Sequence, residues 1–181
     1  MIIGIDLGTT NSVAAFTEGD EPRIIPNDRG GHLTPSICSI TDTGDILVGE
    51  SAKNQAVVNA DRTVLNVKRR MGDRKVIEVG DRGYSPEEIS GYILSHIRSY
   101  AEDFLGTRVE DAVITVPARF SEAARRATRE AGRRAGLKVH RILNEPTAAA
   151  LAYAGREARH RRILVYDLGG GTFDVTVMEV R

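Results

Sequence analysis

Two stretches near opposite ends of the 181-residue chain repeat one pattern: an apolar strand ending in Asp-Leu-Gly, a turn of small residues, and a second apolar strand. Placing Asp6 on Asp167 matches Ile3 with Leu164, Leu7 with Leu168 and Gly8 with Gly169. Residues 2 to 7, the turn Gly8-Thr9-Thr10 and the run from Val13 to Phe16 predict one hairpin. Ile163 to Leu168, Gly169-Gly170-Gly171 and the alternating Val175, Val177 and Val180 predict its counterpart. Two copies of one supersecondary unit are too few for a solenoid, so the duplication belongs inside a globular fold.

Between the hairpins, residues 22 to 84 are mixed and rich in Gly, Asp and Asn, with short strand candidates at Ser36 to Ile40 and Ile46 to Val48, and they suggest a smaller inserted subdomain. A helix is predicted from Ser85 to about Gly106, with Pro86 in its first turn and Ile89, Ile93, Ile97 and Ala101 on one face. Asp111 to Val116 is a strand closed by Pro117. Phe120 and Ser121 introduce a second helix in which Ala123, Ala127, Ala131 and Ala135, four residues apart, would allow close packing on a sheet. Lys138 to Leu143 is another strand, after which Asn144 can cap a third helix with Pro146 in its first turn and Gly155 past its end. Strands alternating with helices argue for an α/β fold.

Charge excludes some functions. Lys plus Arg and Asp plus Glu both number 25, so no net positive field draws the chain to nucleic acid or anionic lipid. The cluster Arg125, Arg126, Arg129, Arg133 and Arg134 is interrupted by Glu122 and Glu130, lacks aromatic neighbours and reads as a solvated helix face. Cys38 is the single cysteine, a small buried hydrophobe that can form no intrachain disulfide, and the four histidines show no metal-ligand spacing. No apolar run approaches a membrane span of roughly 20 residues, and no targeting segment precedes the first strand, so a cytoplasmic location is expected.

The chemistry sits in the two turns. Asp6 ends a strand beside Gly8-Thr9-Thr10-Asn11, whose small side chains would let backbone N–H groups approach a phosphate while the carboxylate holds Mg²⁺ through water. Taken alone, the same residues also make an ordinary hairpin turn. The second copy, Asp167-Leu168-Gly169-Gly170-Gly171-Thr172, has three successive glycines, which weaken a strand unless backbone must come close to something. Two such turns facing each other would clamp a phosphate chain, by a device that is neither a P-loop nor a dinucleotide fingerprint. Lysine occurs only at 53, 68, 75 and 138. Lys68, in Val67-Lys68-Arg69-Arg70, is either part of a solvated basic face or a cation for a terminal phosphate. Glu145 is either a carboxylate stabilised at a helix start or a group that orients an attacking water. Local sequence supports both readings of each.

Taken together, GIDLGTTNSV at 4 to 13, AVITVPARF at 112 to 120, AGLKVHRILNEPTAAALAY at 135 to 153 and VYDLGGGTFDV at 165 to 175 resemble the DnaK-type heat-shock 70 chaperones. TPSICSI, LVGESAKNQAV and NVKRRMG extend the resemblance over nearly the whole chain. Related families of the actin and sugar-kinase superfamily share the two glycine hairpins but are not expected to carry NEPTAAALAY or TVPARF. The resemblance implies an actin-like ATPase fold with lobes of ribonuclease-H-like topology closing on Mg-ATP or Mg-ADP. It implies a first-lobe core at residues 1–36 and 110–160, an inserted smaller α+β subdomain at 37–109 and the first hairpin of a second lobe at 161–181.

It also implies roles for residues at matching positions. Gly8, Thr9, Thr10 and Asn11 would form the first phosphate loop and Gly169, Gly170, Gly171 and Thr172 the second. Asp6 and Asp167 would organise Mg²⁺ and neighbouring K⁺. Lys68 would reach the γ-phosphate and Glu145 would position the water, with Asp167 and Thr172 assisting catalysis. Pro117 and Arg125 match positions that relay nucleotide state to a peptide-binding domain, and Arg141 matches a position near the docking site of J-domain co-chaperones. Client peptides and a nucleotide exchange factor are the other implied partners, in a stress response that couples ATP hydrolysis to protein folding.

Arg119 departs from the family pattern by standing where an aromatic residue follows Pro-Ala, and the stretch from Lys68 to Pro86 is short, as in a subset of bacterial members. The resemblance places adenosine-contacting residues, the interdomain linker and the peptide-binding domain outside these 181 residues. Little turnover by this chain alone is therefore expected. A non-catalytic actin-like scaffold is the alternative, and the apolar hairpin at 163 to 181 is expected to be sticky and to self-associate.

Overall fold

The computed structural model describes residues 1–154, 161–170 and 173–180. In chain order, β1 (Ile2–Asp6), β2 (Asn11–Glu18) and β3 (Glu21–Ile25) form an antiparallel meander, and β4 (Thr34–Pro35) adds to β2. A small sheet follows, built from β5 (Cys38–Ile40), β6 (Ile46–Val48) and β7 (Thr63–Val64) in the order β6-β5-β7, with α1 (Glu50–Gln55) after β6. A 3-10 turn at Val67–Arg70 and the hairpin of β8 (Ile77–Val79) and β9 (Arg82–Tyr84) lead to α2 (Pro86–Leu105). The strand-helix-strand unit of β10 (Asp111–Val116), α3 (Glu122–Arg134) and β11 (Lys138–Asn144) is followed by α4 (Glu145–Ala154). The strands β12 (Arg161–Leu168) and β13 (Phe173–Val180) pair only with each other among the described residues.

The central sheet runs β11-β10-β1-β2-β3, with β10 and β11 parallel to β1, β2 antiparallel to β1 and β3 antiparallel to β2. Alternation along β1 buries Ile3 and Ile5, and along β10 it buries Ala112, Ile114 and Val116. Because strand side chains alternate between faces, Asp6 and Thr115 point away from this core, to the opposite side of the sheet. The core side is covered by α3, where a Cβ on Gly132 would overlap Val139 and crowd Ile114. On the other side α4 lies against β10, β11 and β12.

Helix α2 begins as its sequence dictates: Ser85 accepts from the Glu88 amide at 3.2 Å while the Glu88 carboxylate accepts from the Ser85 amide at 2.9 Å, with Pro86 in the first turn. Ile89, Ile93, Ile97 and Ala101 are all fully buried, and α2 packs against α3, the 3-10 turn and the small sheet. In α3 the buried stripe is Ala124, Ala127, Ala131 and Ala135, not the expected one through Ala123, which is exposed. The N-cap explains the shift: Ser121 accepts from the Ala124 amide, which turns Ala124 inward and leaves Ala123 on the outer side of the first turn.

Two other expectations change. Residues 22–25 lie in β3 of the central sheet instead of an insertion, and the strand expected from Ser36 begins only at Cys38, because Ser36 uses its amide on the Thr10 carbonyl and its hydroxyl on Ser12. Cys38 is buried, and burial pushes its thiol up to about 12, so it behaves as the small hydrophobe expected. No helix among the described residues is long and apolar enough to cross a membrane.

Candidate functional site

The two hairpins repeat in register as well as in sequence. Asp6 faces Val13 and Gly4 faces Ala15; the offset that takes Asp6 to Asp167 converts these pairs into Asp167 with Asp174 and Val165 with Thr176, which are again cross-strand partners. Each turn therefore leaves its strand at the same point relative to its aspartate.

The first turn requires glycine at its start, since a Cβ on Gly8 would overlap the Asn11 carbonyl. The second approaches the first so closely that a Cβ on Gly170 would overlap the Thr10 hydroxyl. The turns thus meet across the mouth of one cavity of about 600 Å³. Asp6, Gly8, Thr9, Thr10, Asn11, Lys68, Glu145, Asp167, Gly169 and Gly170 all line it, together with small residues Ala148, Ala149 and Ala152 of α4. Gly171 and Thr172 lie outside the described residues.

Lys68 is brought to the cavity by the 3-10 turn at Val67–Arg70, which begins after Asn66 in a left-handed conformation, φ 54°. Of its two sequence readings, the solvated basic face does not hold for this residue: Lys68 is buried, and its Nζ donates to Glu145 Oε1 at 2.5 Å. Glu145 starts α4. Burial raises the pKa of its carboxyl above the usual carboxylate range, the Lys68 ammonium pulls it down, and the charges of Asp6 and Asp167 push it up again. A buried ammonium paired with a carboxylate of raised basicity, beside two further carboxylates, is a site that gains from a bound polyanion and its cation.

Sequence reasoning missed Thr115. It faces Asp6 in the parallel register of β1 and β10, lines the cavity, and donates its hydroxyl to Asp6 Oδ1 at 2.9 Å. The period-2 alternation of DAVITV, which puts a polar Thr on the face opposite Ile114, was the available signal.

Three expected residues stand outside the cavity. Pro117 is buried just after β10. Arg125 is no solvated residue, unlike the rest of the arginine cluster: its guanidinium donates to the Ala118 carbonyl at 3.2 Å, the Phe120 carbonyl at 3.2 Å and Asn144 Oδ1 at 2.7 Å. The Asn144 carboxamide oxygen, expected at a helix cap, is thereby engaged with α3. Arg141 is exposed on β11.

The donor set fits a nucleotide with its metal: amides of two small-residue turns within reach of one cavity, one cation, and two carboxylates on equivalent strand ends. The family model described as Hsp70 protein matches residues 2–77 and 73–181, which is nearly the whole chain. A mixed α/β fold with duplicated glycine hairpins, a shared cavity and a match of this length lead to one conclusion: the chain belongs to the Hsp70 family of chaperones, whose ATPase domains bind ATP or ADP with Mg²⁺.

Proposed function

We propose that this chain supplies the phosphate-gripping part of an ATP-hydrolysing domain that switches the peptide binding of a DnaK-type chaperone. The observation that carries the reading is the convergence of both glycine turns, Lys68 and Glu145 on one cavity. The sheet order, three antiparallel strands followed by two parallel to β1, supports a ribonuclease-H-like first lobe of an actin-like fold. Mg-ATP, when bound, supplies the phosphoryl group and the charge to be stabilised. Phosphoryl transfer asks its protein mainly for positioning and electrostatics.

Gly8 to Asn11 and Gly169 to Gly170 would hold the phosphates through backbone amides, and Asp6 and Asp167 the metal through water, with K⁺ nearby. Lys68 would leave Glu145 for the terminal phosphate. The released carboxylate, its basicity raised by burial, would orient and deprotonate water. Arg125 links the turn after Pro117 to Asn144, the residue before Glu145, and this chain of hydrogen bonds supports a relay from the site to a peptide-binding domain and its J-domain and exchange-factor partners.

A second reading is favoured by the hairpin of β12 and β13, which exposes Leu164, Tyr166, Leu168, Phe173, Val175 and Val177. An apolar face of this kind marks a surface that another sheet or chain covers, as in a scaffold that self-associates. Calorimetric titration with Mg-ATP separates the readings. The nucleotide reading expects saturable binding that weakens at least about ten-fold in Lys68→Met, the order of a lost charge-assisted phosphate contact. Absence of binding, or equal binding by Lys68→Met, would favour the scaffold.

A further inference from the structure

The mechanism leaves Arg119 unused, although it occupies the turn that leaves β10, the strand carrying Thr115, for α3. The turn is fixed from within the first sheet: the Phe120 amide donates to the Pro117 carbonyl at 3.0 Å, and Arg125 holds the Ala118 and Phe120 carbonyls. From this base the Arg119 guanidinium reaches across to β13, where Nη1 lies 3.5 Å from Asp174 Oδ1. Asp174 is the direct cross-strand partner of Asp167, which lines the nucleotide cavity. Side chains of directly opposed residues stand on one face about 5 Å apart at Cβ, and like charges so placed destabilise the pair. The second hairpin therefore carries two adjacent carboxylates at its turn, and among the described residues it shares no ladder hydrogen bonds with the central sheet.

We propose that Arg119 is a positioning residue for the second phosphate turn. It offsets the repulsion between Asp174 and Asp167 and ties β13 to the first sheet, while α4 packs on β12. Gly170 is thereby kept against Thr10. The inference rests on the nucleotide reading for its consequence, and on geometry alone for the tether. Arg119 is 57% exposed, so its contribution is that of a surface ion pair, a factor of about three at low salt.

Two readouts on the 181-residue chain test it. Without nucleotide, Arg119→Ala is expected to speed amide exchange in β12 and β13 by about three-fold at low salt while β1 and β10 are unchanged. With Mg-ATP, the same variant is expected to bind about three-fold more weakly. Arg119→Glu, which adds a third acid, should exceed both effects, Arg119→Lys should recover most of each, and high salt should shrink them. A structural packing role would be neither salt-sensitive nor rescued by lysine. Unchanged exchange in Arg119→Glu, or losses equal at all salt concentrations, overturns the proposal. A wild-type chain that binds no Mg-ATP overturns the nucleotide reading instead, and the exchange data still decide the tether.

Discussion

Lys68 and Glu145 are the residues on which the site turns, and their energetics follow from burial. Their side chains are 7% and 16% exposed, so both charges have left most of their water, and the raised pKa of Glu145 says that burial, together with the charges of Asp6 and Asp167, outweighs what Lys68 returns. Removing one partner is worse than keeping both. Lys68→Ala is expected to cost about 3 kcal/mol at pH 8, where Glu145 would be left charged and alone, and distinctly less at pH 5. The sign follows from linkage: a carboxyl whose folded pKa lies above its unfolded value favours the folded state at low pH, and that benefit is lost as pH rises through the raised value. Urea unfolding at the two pH values checks it; a loss independent of pH would mean that Glu145 does not carry the uncompensated charge.

The element that most distinguishes this molecule is the second hairpin. Its face of Leu164, Tyr166, Leu168, Phe173, Val175 and Val177 is exposed, and the Tyr166 and Phe173 rings meet at 4.7 Å between centres with their planes tilted by 56°. Sedimentation velocity is expected to show concentration-dependent association. Leu164 and Val177 are cross-strand partners, 63% and 68% exposed, so the pair Leu164→Glu with Val177→Lys keeps a favourable pairing while breaking the apolar face. That variant should remain monomeric; a wild type monomeric at all concentrations would remove the face as an association surface.

Much of the element order was legible beforehand: the hairpin at Asp6, α2 from Pro86 after Ser85 and its apolar face of Ile89, Ile93 and Ile97, and β10 and β11 as the strands on either side of α3. What was not legible depended on neighbours. β3 is hidden because Glu21, Pro22 and Arg23 belong to an edge strand exposed along most of its length. The stripe of α3 holds at Ala127, Ala131 and Ala135 and differs only at its first position, Ala124 for Ala123, because the cap, not the alanine spacing, sets which side of the first turn faces the sheet. Among the site residues, the aspartates and glycines announce themselves by repetition, whereas burial of Lys68 and the bond from Thr115 to Asp6 exist only once distant segments meet.

At the scale of the whole molecule, the fold arranges a duplicated hairpin so that two turns, 161 positions apart at Gly8 and Gly169, open on one cavity. The central sheet fixes the first turn, and the packing of α4 on β12 carries the second. That both turns grip one phosphate chain is the central claim, and a thermal melt with and without Mg-ATP tests it most directly, because a ligand of the native state stabilises it in proportion to its binding. At a hundred times Kd the gain is about 2.7 kcal/mol, roughly 5–10 °C for a domain of this size. The account predicts that rise in the wild type and its loss in Gly170→Val, whose side chain would push the second turn off Thr10. No rise in the wild type, or an equal rise in Gly170→Val, would contradict it.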